Sequence, residues 1–336
     1  MSADRPTAGE FLQRLKATEA SPFTRPAPSQ QFSDIHAQEL AKYGLREVDP
    51  EKWFDDHFKG LLHRVADTLP EATRSDLLDS VAVGCVDSRQ VNACIIRGER
   101  GPCYAILVNR ALLTMLNHHI KLIAAANYPS SVLHFDGYPT GALPAAVYTK
   151  VSTAILQRYG ATGKPVGPEL KLALDSPAME LVEEALIALH AFVLGHEVGH
   201  YINGDLDSEA NFAESNDIPF GPVFGTNVSH TMEFAADRFA FETVLRMLRM
   251  RDVNMPARRV LDLSVTLFFN FLREISNRGS ESHPKPSDRI LSVTREFFGG
   301  EAAHLMEASF NDLSAIAAFR DHVGSTTVSE LLDARA

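Results

Sequence analysis

The part of this sequence that most strongly decides its fold is the stretch LIALHAFVLGHEVGHYING at residues 186–204. Nearly every position before Gly195 is apolar, which is typical of a buried helix. The stretch ends at Asn203 and Gly204, a pair typical of the residues that follow a helix. The helix is predicted to begin upstream, where Ser176 can cap the first turn and the next residue is a proline. The sequence therefore predicts one long buried helix that ends before Asn203.

The same helix carries His196, Glu197 and His200 in the spacing HExxH. Residues four apart lie on one face of a helix, so both imidazoles can bind one metal ion. Zn²⁺ binds neutral imidazole nitrogens and keeps an open position in catalytic sites, where Glu197 can accept a proton from water. The ordinary alternative is a solvated helix face, but burying these polar side chains in so apolar a helix is costly unless they bind something. We therefore predict one Zn²⁺ per chain.

A second helix, predicted at about 230–250, carries Glu233 and Asp237 in the spacing ExxxD. Glu233 can be the third zinc ligand, and Asp237 can accept the outer N–H of a zinc-bound imidazole. The alternative is a pair of surface carboxylates. The first helix contains Gly195 and Gly199, each of which weakens a helix by roughly 1 kcal/mol relative to alanine. These glycines, and the alanines beside Glu233 and Asp237, predict that the two helices pack closely.

The combination of HExxH with ExxxD resembles the glutamate-zincins, in particular the family of the type I CAAX prenyl protease, the bacterial HtpX protease and the mitochondrial Oma protease. Two further segments resemble that family. Asn92 and Ala93 open a β-rich run that is followed by a turn and a second β run, and a His-Pro pair at His283 precedes an Arg-Ile pair at Arg289. The resemblance covers roughly residues 80–295.

The resemblance implies roles for these segments. The strand that begins at Asn92 and Ala93 would pair with an extended substrate, although Asn92 could equally be an ordinary strand-edge residue. His283 would stabilise the oxyanion of the tetrahedral intermediate, and Arg289 would pair with Asp237 or another carboxylate near the zinc. The ordinary alternatives are a loop histidine and a surface arginine. The named family members are attached to membranes, so their membrane-linked substrates are not carried over.

Composition excludes several classes of protein. The 336 residues carry a net charge of −11, which makes nucleic acid and anionic membranes poor partners. The three cysteines are too few, and odd in number, for a disulfide framework. No apolar run reaches the ~18 to 20 residues of a membrane helix, so no membrane insertion is expected. Without a signal peptide at the N-terminus, the expected location is the cytoplasm.

We predict a mainly helical α+β fold with a zincin-like core, in which a small β-sheet or hairpin lies along the cleft. The β-rich runs are 81–83, 91–96 and 104–108, and the main helices are predicted at 112–126, 176–202, 230–250, 257–277 and 286–298. Four regions are predicted: a weakly ordered N-terminal segment (1–32), a helical N-terminal region (33–76), a zinc metallopeptidase core (77–299) and a C-terminal helical extension (300–336).

These features predict a zinc-dependent endopeptidase that hydrolyses a protein or peptide substrate, with Glu197 as the general base. Two alternatives remain open. One is a regulatory or binding protein that keeps the zinc scaffold with gated or no general proteolysis, and the other is an enzyme that uses the same zinc chemistry on a non-peptide amide. A regulatory partner could bind the helical region 33–76. The acidic connection at 205–228 is either a lid over the cleft or a plain loop.

Overall fold

A computed structural model describes most of the chain. The described residues are 7–18, 50–86, 92–98, 103–127, 145–162, 174, 176–206, 229–253, 255–275, 283–312 and 314–335. The predicted acidic connection therefore lies outside the described residues, apart from Asp205 and Leu206. The first part of the predicted helical N-terminal region, 33–49, also lies outside them.

The predicted mainly helical α+β fold is confirmed. The helices are α1 (Ala8–Thr18), α2 (Pro50–Asp67), α3 (Glu71–Ser80), α4 (Arg110–Asn127), α5 (Ala145–Thr162), α6 (Ser176–Ile202), α7 (His230–Met250), α8 (Ala257–Leu261), α9 (Leu267–Ile275), α10 (Pro286–Phe298), α11 (Gly300–Ser309), α12 (Ser314–Val323) and α13 (Val328–Asp333). The helices predicted at 176–202, 230–250 and 286–298 are α6, α7 and α10. No helix of the described residues is both long and apolar enough to cross a membrane.

Two parts of the helical prediction are corrected by the structure. The helix predicted at 257–277 is divided into α8 and α9 by a π-helical turn at Asp262–Thr266. Helix α5 was not predicted at all. It lies between two stretches that look like loops, and its own sequence mixes alanine with threonine, tyrosine and glycine, which gives a weak helical pattern.

The sheet has three strands in the order β1-β3-β2, with β1 at Val81–Val86, β2 at Ala93–Arg97 and β3 at Tyr104–Asn109. β2 and β3 form the predicted antiparallel hairpin, whereas β1 pairs with β3 in parallel. The Gly98 N–H donates to the Cys103 carbonyl at 2.7 Å. Because hydrogen-bonded pairs alternate along an antiparallel ladder, the backbone groups of Ile95 point away from β3. Among the described strands, β2 therefore lies at an outer edge of the sheet, where no strand pairs with its side away from β3.

Both faces of the sheet are covered. On one face, Leu12 of α1 packs with Ala105 and Leu107 of β3. On the other face, Ile106 belongs to the main core cluster together with side chains of α6 and α7. Helices α2 and α13 add side chains to this same cluster. Helices from the predicted regions 33–76 and 300–336 thus contribute to the same core as residues 77–299, and the division of the chain into these regions stays a prediction.

Helices α6 and α7 pack backbone to backbone, as the small residues predict. A Cβ atom built on Gly195 would lie 3.1 Å from Ala240 Cα, and one on Gly199 would lie 3.0 Å from Ala236 Cα. Carbon atoms normally approach no closer than about 3.5 Å, so a larger residue at either position would force the α7 backbone to shift by a few tenths of an ångström. The close contact brings the ExxxD face of α7 beside the HExxH face of α6.

Candidate metal centre

Three side chains from α6 and α7 bring ligand atoms together at one point. The Nε2 atoms of His196 and His200 are 3.1 Å apart. The Glu233 carboxylate lies 3.6 Å from the first nitrogen through Oε2 and 3.5 Å from the second through Oε1. In a tetrahedral zinc site with ligands at 2.0–2.1 Å, neighbouring ligand atoms are about 3.3 Å apart. The spacing of the three predicted ligands therefore fits one metal ion.

The hydrogen bonds of the two imidazole rings support the same conclusion. His196 Nδ1 is 3.0 Å from Asp237 Oδ1, and His200 Nδ1 is 2.8 Å from Asp205 Oδ2. A carboxylate can only accept, so each Nδ1 donates to its own carboxylate and each Nε2 is turned toward the other ring. Arg289 Nη2 is also 3.3 Å from His196 Nδ1, but the carboxylate is nearer. Two imidazole nitrogens and a carboxylate facing one another are the donor set of a metal site.

Glu233 is buried and charged in this arrangement. Burial alone would raise the pKa of its carboxyl, but the Arg289 guanidinium and the two histidines hold that pKa well below its usual range. Its Oε2 accepts no hydrogen bond from the described residues, although Arg289 Nη1 lies 3.0 Å away. A buried oxygen of this kind normally has a partner, and a metal ion would supply one.

His200 has a strongly altered proton affinity. Burial lowers the pKa of the imidazole, but the hydrogen bonds to Asp205 and Glu233 and the nearby Glu197 carboxylate together raise it to about 10. Protons and metal ions compete for the same nitrogen. The carboxylates around His200 therefore favour a positive charge at this position, whether a proton or a metal ion carries it.

Arg289, near the start of α10, forms a two-bond ion pair with Asp237. Its Nε donates to Asp237 Oδ2 at 2.7 Å, and its Nη2 donates to Oδ1 at 2.6 Å. The guanidinium also lies over the Phe269 ring, with 4.5 Å between Cζ and the ring centroid. Burial opposes the charge, but Asp237 and Glu233 raise the pKa of Arg289, so it stays protonated. The resemblance implies that Arg289 pairs with Asp237 or another carboxylate near the zinc, and the structure brings it to Asp237 and to Glu233.

His283 lies at the open side of this cluster. Its Nε2 is 3.6 Å from Glu233 Oε1, and about a third of its side chain, 35%, is exposed. Burial lowers the pKa of His283, more than the Glu233 carboxylate raises it. The histidine is therefore close enough to the ligand cluster to contact a substrate bound there.

Glu197 is buried between α6 and strand β2. The backbone N–H of Ile95 donates a hydrogen bond to its carboxylate. Burial raises the pKa of Glu197, although the two histidines oppose this. Asn92 and Ala93 lie at the start of the same strand, where the Asn92 side chain accepts a hydrogen bond from Asn109 Nδ2. The outer edge of β2 therefore runs beside the glutamate that the sequence predicts as the base.

The sequence prediction missed one member of this cluster, Asp205, which it assigned to a loop. The chain leaves α6 through a Schellman turn in which Gly204 has a φ of +70°. The Asp205 N–H donates to the His200 carbonyl at 3.1 Å, and the Gly204 N–H donates to the Tyr201 carbonyl at 3.1 Å. The signal that could have identified Asp205 is its position directly after the glycine that ends a ligand-bearing helix.

Comparison with known proteins gives one match. Residues 166–309 match the family model of Peptidase U49. The matched segment is less than half of the chain, and it contains the three proposed ligands together with Asp237 and Arg289. No curated protein and no solved structure is significantly similar to this chain. The match supports a peptidase, and the resemblance to the CAAX, HtpX and Oma proteases stays a prediction.

Proposed function

We propose that this chain is a zinc-dependent endopeptidase of the glutamate-zincin type, similar to the family of the CAAX, HtpX and Oma proteases. His196, His200 and Glu233 would hold one Zn²⁺ within the region 77–299. The observation that carries this proposal is the convergence of ligand atoms from three side chains at 3.1 to 3.6 Å, with each histidine turned by a carboxylate behind it. The match to a peptidase family supports hydrolysis of peptide bonds.

A bound zinc ion would lower the pKa of a coordinated water molecule to about 7 and polarise a substrate carbonyl. The carboxylate of Glu197 would accept the proton of the attacking water and donate it to the leaving amine. The hydrogen bond from the Ile95 N–H keeps that carboxylate on the β2 side of the ligand cluster. His283 would donate a hydrogen bond to the oxyanion that forms on the substrate.

Asp237 and Arg289 would orient the ligands without touching the substrate. Asp237 accepts from His196 on one side and from Arg289 on the other, so the imidazole ring cannot rotate freely. Arg289 also balances the charge of Glu233 at 3.0 Å. Without this guanidinium, two carboxylates would be buried side by side with no cation except the metal.

The substrate would be an extended segment of a protein or peptide. Such a segment can add to the outer edge of β2 at Ala93, whose backbone groups point away from β3, with Asn92 next to it. A regulatory partner at the helical region 33–76 stays a prediction. Within that region, Trp53 of α2 is 48% exposed, which is unusual for a large apolar side chain.

The proposal is tested by comparing the full-length chain with two variants, Glu197→Gln and Glu183→Gln. Both substitutions neutralise a glutamate of α6, but Glu183 is exposed and far along the helix from the cluster. We expect about one zinc per chain in all three proteins. New N-termini should appear in a host lysate with the wild type and with Glu183→Gln, and not with Glu197→Gln.

Two outcomes would contradict the proposal. If the wild type binds no zinc, the metal assignment is wrong. If it binds zinc but leaves the lysate the same as Glu197→Gln does, the chain is better described as a zinc-scaffold binding protein. Cleavage by the wild type alone would identify both the substrate and the cleaved bond.

A further inference from the structure

Asp205 and His200 are joined by two hydrogen bonds that run in opposite directions. The backbone N–H of Asp205 donates to the His200 carbonyl at 3.1 Å, while its carboxylate lies 2.8 Å from His200 Nδ1. Both residues are buried, with 5% and 6% of their surface exposed. Asp205 is therefore bonded to His200, in the last turn of α6, through both its main chain and its side chain.

The position of Asp205 depends on the turn formed by residues 203–205. Gly204 has a φ of +70°, in the left-handed region that residues with a Cβ atom adopt only at a cost. This conformation reverses the chain after Ile202, so that Asp205 returns to the last turn of the helix. A residue in an ordinary helical conformation at 204 would carry the carboxylate away from His200.

We propose that Asp205 is a positioning residue for the metal centre, and that the turn at 203–205 helps to fix the orientation of the His200 ring. This inference rests on the proposed function, because it assumes that His200 binds zinc. The carboxylate of Asp205 holds the proton on Nδ1 and the ring in one rotation, which leaves Nε2 ready to bind the metal. Asp237 holds His196 in the corresponding way from a different helix.

The direct test measures the zinc affinity of the full-length chain by competition with a coloured chelator. Removing an outer carboxylate of this kind costs about 10- to 100-fold in metal affinity, and we expect that loss for Asp205→Ala. Asp205→Asn keeps an oxygen that can accept from Nδ1 but loses the charge, so its affinity should lie between those of the wild type and Asp205→Ala. The asparagine variant also serves if the alanine variant does not fold.

A second pair of variants tests the turn while leaving the carboxylate in place. Gly204→Ala should weaken zinc binding, because alanine disfavours the turn that returns Asp205 to His200. Gly324→Ala is the matched control. Gly324 also follows a helix, has a φ of +63°, and its added Cβ would meet no atom of the described residues within 4 Å. It should lower the thermal stability of the protein without changing its zinc affinity.

The outcomes separate this inference from the proposed function. If the wild type binds no zinc, both fail. If the wild type binds zinc and cleaves protein while Asp205→Ala binds zinc equally well, the inference alone is overturned. It is also overturned if Gly324→Ala weakens zinc binding as much as Gly204→Ala does. Melting temperatures measured after metal removal show separately how each substitution affects the fold.

Discussion

The contact between α6 and α7 can be tested with a substitution that normally stabilises a helix. Gly199→Ala places a Cβ atom 3.0 Å from Ala236 Cα and 3.2 Å from the Ala236 carbonyl oxygen. Gly60→Ala is the matched control, because Gly60 lies in α2 and its added Cβ would meet no atom of the described residues within 4 Å. The same chemical change is therefore made once in a closed helix contact and once on an open helix surface.

The two substitutions should change stability in opposite directions. In both helices, alanine gains about 0.5–1 kcal/mol over glycine from conformational preference. At Gly199 the new carbon is a few tenths of an ångström too close to main-chain atoms, which cannot rotate away as a side chain can. Overpacking of this kind costs about 1–3 kcal/mol. The free energy of unfolding should thus rise for Gly60→Ala and fall by up to about 2 kcal/mol for Gly199→Ala.

Urea unfolding in the presence of a chelator measures this difference without a contribution from bound metal. Zinc affinity supplies the second measurement, since moving Ala236 also moves Glu233 on the same helix. We expect weaker zinc binding for Gly199→Ala and unchanged binding for Gly60→Ala. If Gly199→Ala is as stable as Gly60→Ala and binds zinc like the wild type, the two helices are not in the close contact described above.

Three further predictions concern a buried ion pair, the dependence of stability on pH, and the packing of α1 on the sheet. Arg289→Ala should lower the free energy of unfolding by about 3–5 kcal/mol in urea titrations, because it leaves Asp237 buried without its cation. Burial lowers the pKa of His190 to about 3 and that of His119 to about 4, so both stay neutral in the folded chain while the unfolded chain takes up protons near pH 6.5. The contribution of these two histidines to the free energy of unfolding should therefore be fully present above pH 6.5 and be lost as the pH falls toward 4. The slope of that free energy against pH, measured between pH 7 and 5, should be smaller in His190→Gln. Leu12→Ala should destabilise the protein by about 2–5 kcal/mol if α1 covers the sheet as described, whereas an unchanged urea midpoint would show that it does not.

Local signals in the sequence were sufficient to predict the helices that carry the site. The Ser-Pro pair at 176–177, the apolar run before Gly195 and the glycine at 204 predicted the bounds of α6, because helix-start signals and periodicity act over a few residues. The spacing of His196 and His200 likewise predicted that they share a face, since that follows from the helix repeat alone.

Other features depend on contacts between distant parts of the chain. The parallel pairing of β1 with β3 was not predicted, because nothing local to Val81–Val86 specifies which strand it joins. The π-helical turn at Asp262–Thr266 breaks a periodic pattern that continues smoothly in the sequence. Asp205 was missed because an aspartate after a helix is ordinary loop composition, and only the φ angle of Gly204 turns it back toward His200.

The glycine and alanine contacts between α6 and α7 also have a use in tracing distant relatives. Each glycine of the contact directly precedes a histidine, and Ala236 directly precedes Asp237. The packing residues and the site residues therefore follow one another in a fixed order, which is GHExGH in α6 and ExxADxxA in α7. A chain too diverged for whole-length alignment could be recognised by this paired pattern, which is far rarer by chance than HExxH alone.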